Sequence, residues 1–181
     1  MKIVVIEPLA VEEKRFLEIA RAAVGQEPEI ICYDTRTTDV KELGERGKDA
    51  DIIALGNLPF PRELLEKSDI VSLHVPLTPE TKGIIGEKEL ALMKPSAILI
   101  NTARGPVADT KALVDALQSG KIAGAGIDVF DAEPPLDPAD PLLHTPHTVV
   151  TPHVAFATKE SMIKRAIIEF DNIAAFIGER K

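Results

Sequence analysis

The sequence predicts an α/β protein built on a single doubly wound, mostly parallel sheet of about seven strands. Three observations carry that expectation. Short runs rich in Ile, Val and Leu recur along the 181 residues, and segments with apolar residues at helical spacing lie between them. The runs are apolar almost throughout, as in Ala97-Ile98-Leu99-Ile100, which suits strands covered on both faces. Each run stops at a polar or Pro/Gly-rich turn, so its last residues stand at a strand's carboxyl end, where open α/β sheets place their ligands.

Met1 to Ile6 is the first strand, and Val11 to Val24, with Phe16, Leu17, Ala20 and Ala23 at helical spacing, is the first helix. Glu29 to Tyr33 reads as a strand, Val40 to Ala50 as a more polar helix, and Asp51 to Leu55 as a third strand. After Leu58-Pro59-Phe60-Pro61, the stretch Glu63 to Glu66 allows a turn or two of helix before the strand Ile70 to Val75. This is the thinnest connection, just long enough for a parallel crossover. Glu87 to Met93 is a short helix stopped before Pro95, and Ala97 to Asn101 is the strand around which the second half is organised. Thr110 to Leu117 is a helix with Asp109 as N-cap and Gly120 as its stop. A strand over Ala123 to Phe130, a proline-rich loop from Glu133 to Pro146 and a short strand over Thr148 to Thr151 follow. Lys159 to Ile177 is a long helix with Met162, Ile163, Ala166, Ile167, Phe170, Ile173, Ala174 and Ile177 on one stripe.

Composition narrows the function classes. Hydrophobic residues make up 45% and charged residues 28%, which is ordinary for a globular domain. Aromatics are scarce at 4%, with no Trp and one Tyr, so the core is aliphatic and no stacking platform for bases exists. A net charge of −8 opposes a nucleic-acid or anionic-membrane partner. The single Cys32, inside an apolar run, reads as a small core residue. No apolar run reaches membrane-spanning length, the start lacks signal-peptide form, and the expected compartment is the cytoplasm. No metal site is expected.

Three ionisable residues fall at or just beyond strand ends: Arg104, Glu133 and His153. An arginine in a crevice can hold a carboxylate bidentately, and a histidine is the side chain best suited to pass a proton near neutral pH. A glutamate beside that histidine would orient its ring. Taken singly, each also reads as a surface ion pair, a loop carboxylate or a cap. Their contexts argue otherwise.

Those contexts are Ser68-Asp69-Ile70-Val71-Ser72-Leu73-His74-Val75-Pro76-Leu77-Thr78, Met93-Lys94-Pro95 through Asn101-Thr102-Ala103-Arg104-Gly105, Gly126-Ile127-Asp128-Val129-Phe130 with Glu133-Pro134, and Thr151-Pro152-His153-Val154-Ala155. In order and spacing they closely resemble the D-2-hydroxyacid dehydrogenases. The resemblance covers Leu64 to the C-terminus, and Met1 to Asn57 resembles the beginning of such an enzyme's substrate domain. It implies NAD-linked interconversion of a small 2-hydroxy acid and its 2-keto acid. By motif position Arg104 would bind the substrate carboxylate and carbonyl, His153 would be the acid/base and Glu133 its partner. Asp128 would meet the nicotinamide amide, Val75 and Pro76 the adenosine end, and Thr102 and Ala103 the cofactor backbone.

The chain departs from the family where the nucleotide domain should open with a Gly-rich strand-to-helix turn. Those glycines let the backbone approach a pyrophosphate and present helix amides to it. After its first strand this chain reads Glu7-Pro8-Leu9-Ala10. Gly124-Ala125-Gly126 has Val129 where a third glycine belongs and reads as close strand packing, and Asp34 reads as a turn residue. The remainder of the substrate domain is likewise absent between Asn57 and Leu64. Residues 1–61 thus resemble the front of a substrate domain, joined near Pro61 to Leu64 to residues 62–181, which resemble the second half of an NAD-binding domain.

Joined as one domain over 1–181, the halves would complete a flavodoxin/Rossmann-like sheet of order 2-1-3-4-5-6-7, because isolated halves would leave sheet faces and edges bare. A homodimer exchanging halves about the Pro59 to Glu66 connection is the alternative to a monomer. Three functional readings follow. The first is an inactive chimeric or truncated relative with an inherited site, since losing the pyrophosphate turn removes binding and orientation together. The second is a residual NAD-dependent dehydrogenase using Arg104, Glu133 and His153. The third is a flavodoxin-type module binding another small ligand at the first and third strand ends.

Overall fold

A computed structural model describes residues 1–6, 12–54, 62–133 and 136–178. Strands and helices alternate from the start: β1 (Lys2–Val5), α1 (Glu13–Val24), β2 (Glu29–Cys32), α2 (Val40–Arg46), β3 (Ile52–Ala54), α3 (Arg62–Lys67) and β4 (Ile70–Leu73). They continue with α4 (Glu87–Leu92), β5 (Ile98–Asn101), α5 (Thr110–Gln118), β6 (Gly124–Ile127), β7 (Thr148–Val150) and α6 (Lys159–Gly178). The strands form one seven-stranded sheet of order β2-β1-β3-β4-β5-β6-β7. Every pairing is parallel. The sheet is therefore the expected one, and all carboxyl ends lie along the same edge.

The strands β3 and β4 meet where Ile52 pairs with Ile70 and Ile53 with Val71. One row of the sheet runs Val4, Ile53, Val71, Leu99 and Ala125 across this junction, and all five are buried. Beneath it lie two apolar clusters, one around Val4, Ile6, Leu43 and Ile53, the other around Val71, Leu99, Leu113 and Ile127. The short helix α3 joins them, since Leu64 packs in the first and Leu65 in the second. Right-handed crossovers moving from β3 towards β7 place their helices on one face. The other face is less covered: Ile98 is 40% exposed and Val149 72%.

Local chemistry sets the element ends. Asp39 and Asp109 cap α2 and α5 by accepting from the Glu42 and Ala112 amides at 2.9 Å each. Gly120 ends α5 at φ +68°, a conformation that costs glycine little. Gly124 lies close to β7, where an added Cβ would meet the His147 carbonyl oxygen at 3.0 Å, in line with its reading as strand packing. The apolar runs ending at Val75 and Phe130 leave the ladder early, at Leu73 and Ile127. Val129 and Phe130 are nonetheless buried, at 1% and 5% exposure, because the chain beyond β6 packs beneath the carboxyl edge. Burial first, and the charge of Glu13 second, push the half-buried Cys32 thiol up. The readings of Glu7 to Ala10 and of Pro59 to Pro61 lie outside the described residues. Among the described residues no helix is long and apolar enough to cross a membrane.

Candidate active site

The carboxyl end of β5 is folded by its own last residue. Asn101 is buried, its Nδ2 donates to the Arg104 carbonyl at 2.9 Å, and its Oδ1 accepts from the Ala103 amide at 3.1 Å. These bonds close the Thr102-Ala103-Arg104 turn and present Arg104 at the surface. Its Nη1 donates to the Ala103 carbonyl at 2.6 Å, and it forms no ion pair among the described residues. A guanidinium without a carboxylate partner can receive one from a ligand. Gly105 then presses the turn against the next strand's exit: a Cβ there would overlap the Phe130 carbonyl and come within 2.6 Å of Asp131 N.

That same Phe130 carries the second group. Its amide donates to Glu133 Oε1 at 2.5 Å, and Glu133 Oε2 stands 2.6 Å from His153 Nδ1. With Nδ1–H donating to the carboxylate, Nε2 is the nitrogen left to exchange a proton with a ligand. The Phe156 ring meets the imidazole edge-on, with centroids 6.0 Å apart and planes at 89°. His153 adopts φ +53°, which an L side chain holds only when its surroundings dictate it.

Asp128 does the dictating. It is buried; Oδ1 accepts from Thr151 Oγ1 at 2.5 Å and from the Val154 amide at 2.9 Å, and Oδ2 accepts from the Ala155 amide at 2.9 Å. Its carbonyl also accepts from the His153 amide at 2.8 Å. Burial alone would raise its pKa, but the hydrogen bonds from Thr151, Ala155 and Val154, with the nearby His153, outweigh it and hold the carboxyl below its ordinary value. The family resemblance would place Asp128 against a cofactor amide; the structure gives its carboxylate a positioning part, pinning the segment that carries His153.

The remaining expected residues lie along the same edge. Val75 is half-buried and Pro76 exposed just beyond β4, where Thr81 Oγ1 donates to the Pro76 carbonyl at 2.6 Å. The following loop is tied to the arginine turn, with Gly83 N donating to the Pro106 carbonyl at 2.8 Å. Thr102 is half-buried and Ala103 buried. The structure thus gathers the ends of β4 to β7, with Arg104, Glu133 and His153 joined through Gly105 and Phe130. Neither the Asn101 fold nor the Asp128 clamp was readable as such from the sequence; a buried-looking Asn and Asp directly after apolar strands were the available signal. Among the described residues no cluster of His, Cys, Asp or Glu is arranged to hold a metal.

A dinucleotide fits this edge only in part. Dinucleotide sheets bind across the reversal between β1 and its neighbour β4. Here β3 lies between β1 and β4, which moves the reversal one strand, about 4.8 Å, further from the β5 turn. The first glycine of the chain is Gly25, at the end of α1, so the sequence between β1 and that helix contains no glycine. Among the described residues none offers a glycine-lined match for the pyrophosphate end of NAD.

The sequence profile described as "D-isomer specific 2-hydroxyacid dehydrogenase, NAD binding domain" matches residues 17–155. A glyoxylate reductase of Korarchaeum cryptofilum is 46% identical over 160 residues, covering 87% of this chain and 45% of that protein. Among solved structures, the NAD-complexed D-isomer specific 2-hydroxyacid dehydrogenase of Lactobacillus delbrueckii is 34% identical with a TM-score of 0.62, over 97% of this chain and 53% of that one. The D-lactate dehydrogenase of Aquifex aeolicus, complexed with NAD and lactic acid, is 30% identical with a TM-score of 0.65, over 99% and 54%. The chain spans about half the length of these relatives.

Proposed function

The chain belongs to the D-isomer specific 2-hydroxyacid dehydrogenase family, and we propose that it keeps the family's substrate-anchoring and proton-exchanging side without holding NAD in register for turnover. In this reading residues 62–181 derive from the back of a nucleotide domain and residues 1–61 resemble the front of a substrate domain, although the match to the NAD-binding domain already begins at residue 17, and the two form one cytoplasmic α/β unit. The observation that carries this reading is the strand order, which sets β3 where a dinucleotide sheet would bring β1 against β4. Arg104 is the group for the carboxylate of a small 2-keto or 2-hydroxy acid. His153 Nε2, aimed through Glu133, is the group for its carbonyl or hydroxyl oxygen.

The second reading, a residual NAD-dependent dehydrogenase, is favoured by the 2.6 Å Glu133–His153 contact and by the lack, among the described residues, of an ion pair at Arg104. Incubation with glyoxylate and NADH, followed by loss of the reduced nicotinamide absorbance, separates the two. We expect turnover below ~10⁻³ s⁻¹, against the 1–10³ s⁻¹ usual for enzymes. Turnover in the ordinary range that Arg104→Ala abolishes would install the second reading instead.

A further inference from the structure

Between the proline-rich loop and the edge strand β7 lies a pocket of about 130 Å³, lined by Phe130, Leu136, Leu143, Val150, Thr151 and Pro152. Leu136, Leu143 and Val150 are half-buried and pack against the larger core cluster, so the core reaches the surface here. Thr151 Oγ1 is the one polar side-chain atom among the six, and it already donates to Asp128 Oδ1 at 2.5 Å. Pro152 has no amide hydrogen to offer. These side chains leave nothing for a polar substituent, and an aliphatic group is the chemistry that suits them. An apolar cavity of about 150 Å³ holds a benzene-sized guest, so this one holds about four or five carbons.

The walls of the pocket are also the two arms of the site. Phe130 donates through its amide to Glu133 Oε1 at 2.5 Å, and its carbonyl lies where Gly105, next to Arg104, lacks a Cβ. Thr151 and Pro152 directly precede His153, whose Nδ1 stands 2.6 Å from Glu133 Oε2. A group seated between these walls borders the Glu133–His153 pair on its β7 side. We propose that the pocket seats the aliphatic tail of the acid whose carboxylate Arg104 holds. The favoured ligand is then a 2-keto or 2-hydroxy acid with a branched tail of about four carbons, and not glyoxylate, which has no tail. Such a ligand needs Arg104 and His153 as anchors, as in the reading above, and does not need NAD. Leu143 and Val150 set the size of its tail.

Nuclear magnetic resonance titration of the whole chain tests this, with the methyl groups of Leu136, Leu143 and Val150 reporting on the pocket and the His153 imidazole on the anchor. The probes are glyoxylate, the 2-keto acid with an isobutyl tail, and isobutyl alcohol. Both acids should move His153, only the isobutyl acid should also move the methyls, and it should bind at least about tenfold tighter than glyoxylate. Leu143→Phe, which fills the pocket, should bring the two affinities within about twofold of each other. Movement of His153 with silent methyls, or a preference that survives Leu143→Phe, overturns the tail pocket and leaves the anchoring by Arg104 and His153 standing. Silence of both reporters with both acids overturns the anchoring and the pocket with it. Isobutyl alcohol moving the methyls at the same concentration as the isobutyl acid would overturn the assignment too, by making the pocket a site separate from the anchor.

Discussion

Gly105→Ala is expected to cost about 3 kcal/mol, the upper part of the range for overpacking, because its Cβ would overlap the Phe130 carbonyl and crowd Asp131 N. Neither neighbour is the end of a flexible side chain, so one strand exit must move away from the other. For a chain of this length that corresponds to a thermal midpoint lower by roughly 6–12 °C. Gly126→Ala is the internal control. Its Cβ would find only Ile100 Cγ1, at 3.9 Å, an ordinary contact. A midpoint for Gly105→Ala no lower than that of Gly126→Ala would show that Arg104 and Glu133 are not held together through this approach.

Asp128→Ala leaves the Thr151 hydroxyl and the Val154 and Ala155 amides without their acceptor, and is expected to cost about 3 kcal/mol near neutral pH. Amide exchange at Val154 and Ala155 should quicken beyond what the global loss explains, since their anchor is gone. Asp128→Asn should cost less, because its remaining oxygen can still accept. The pH dependence has a definite sign. The folded pKa of Asp128 lies below its ordinary value near 3.8, so its ionised form contributes stability that is fully present above that value. That contribution is lost as pH falls through the folded pKa. Urea midpoints of the unaltered chain and Asp128→Ala should therefore differ by a constant amount above about pH 5 and converge below about pH 4. A gap that widens in acid would contradict the clamp.

The alternation of apolar runs with helical stripes was enough to read a parallel sheet, because a parallel strand needs a covered face and a crossover of limited length, and the family resemblance of its segments supplied the strand order. Arg104, Glu133 and His153 were singled out for a different reason: each lies beyond the end of a strand within a motif long enough to be specific. What the sequence could not disclose is how they are connected. The bonds of Asn101 close a turn through backbone atoms that carry no sequence signature, and the carboxylate of Asp128 is used by a segment more than twenty residues away. Apolar periodicity also ran past the ladder at Val129 and Phe130, since burial beneath the site calls for the same residue types as burial in a strand. In α6 the stripe was plain, but a stripe names a need for cover and not the surface that meets it.

Calorimetric titration of NADH into the chain tests the central reading most directly. With β3 displacing the β1–β4 crevice and no glycine turn for the pyrophosphate, no saturable heat is expected up to about 1 mM cofactor. Saturable binding in the micromolar range would contradict that reading, and Arg104, Glu133 and His153 would then belong to a working dehydrogenase.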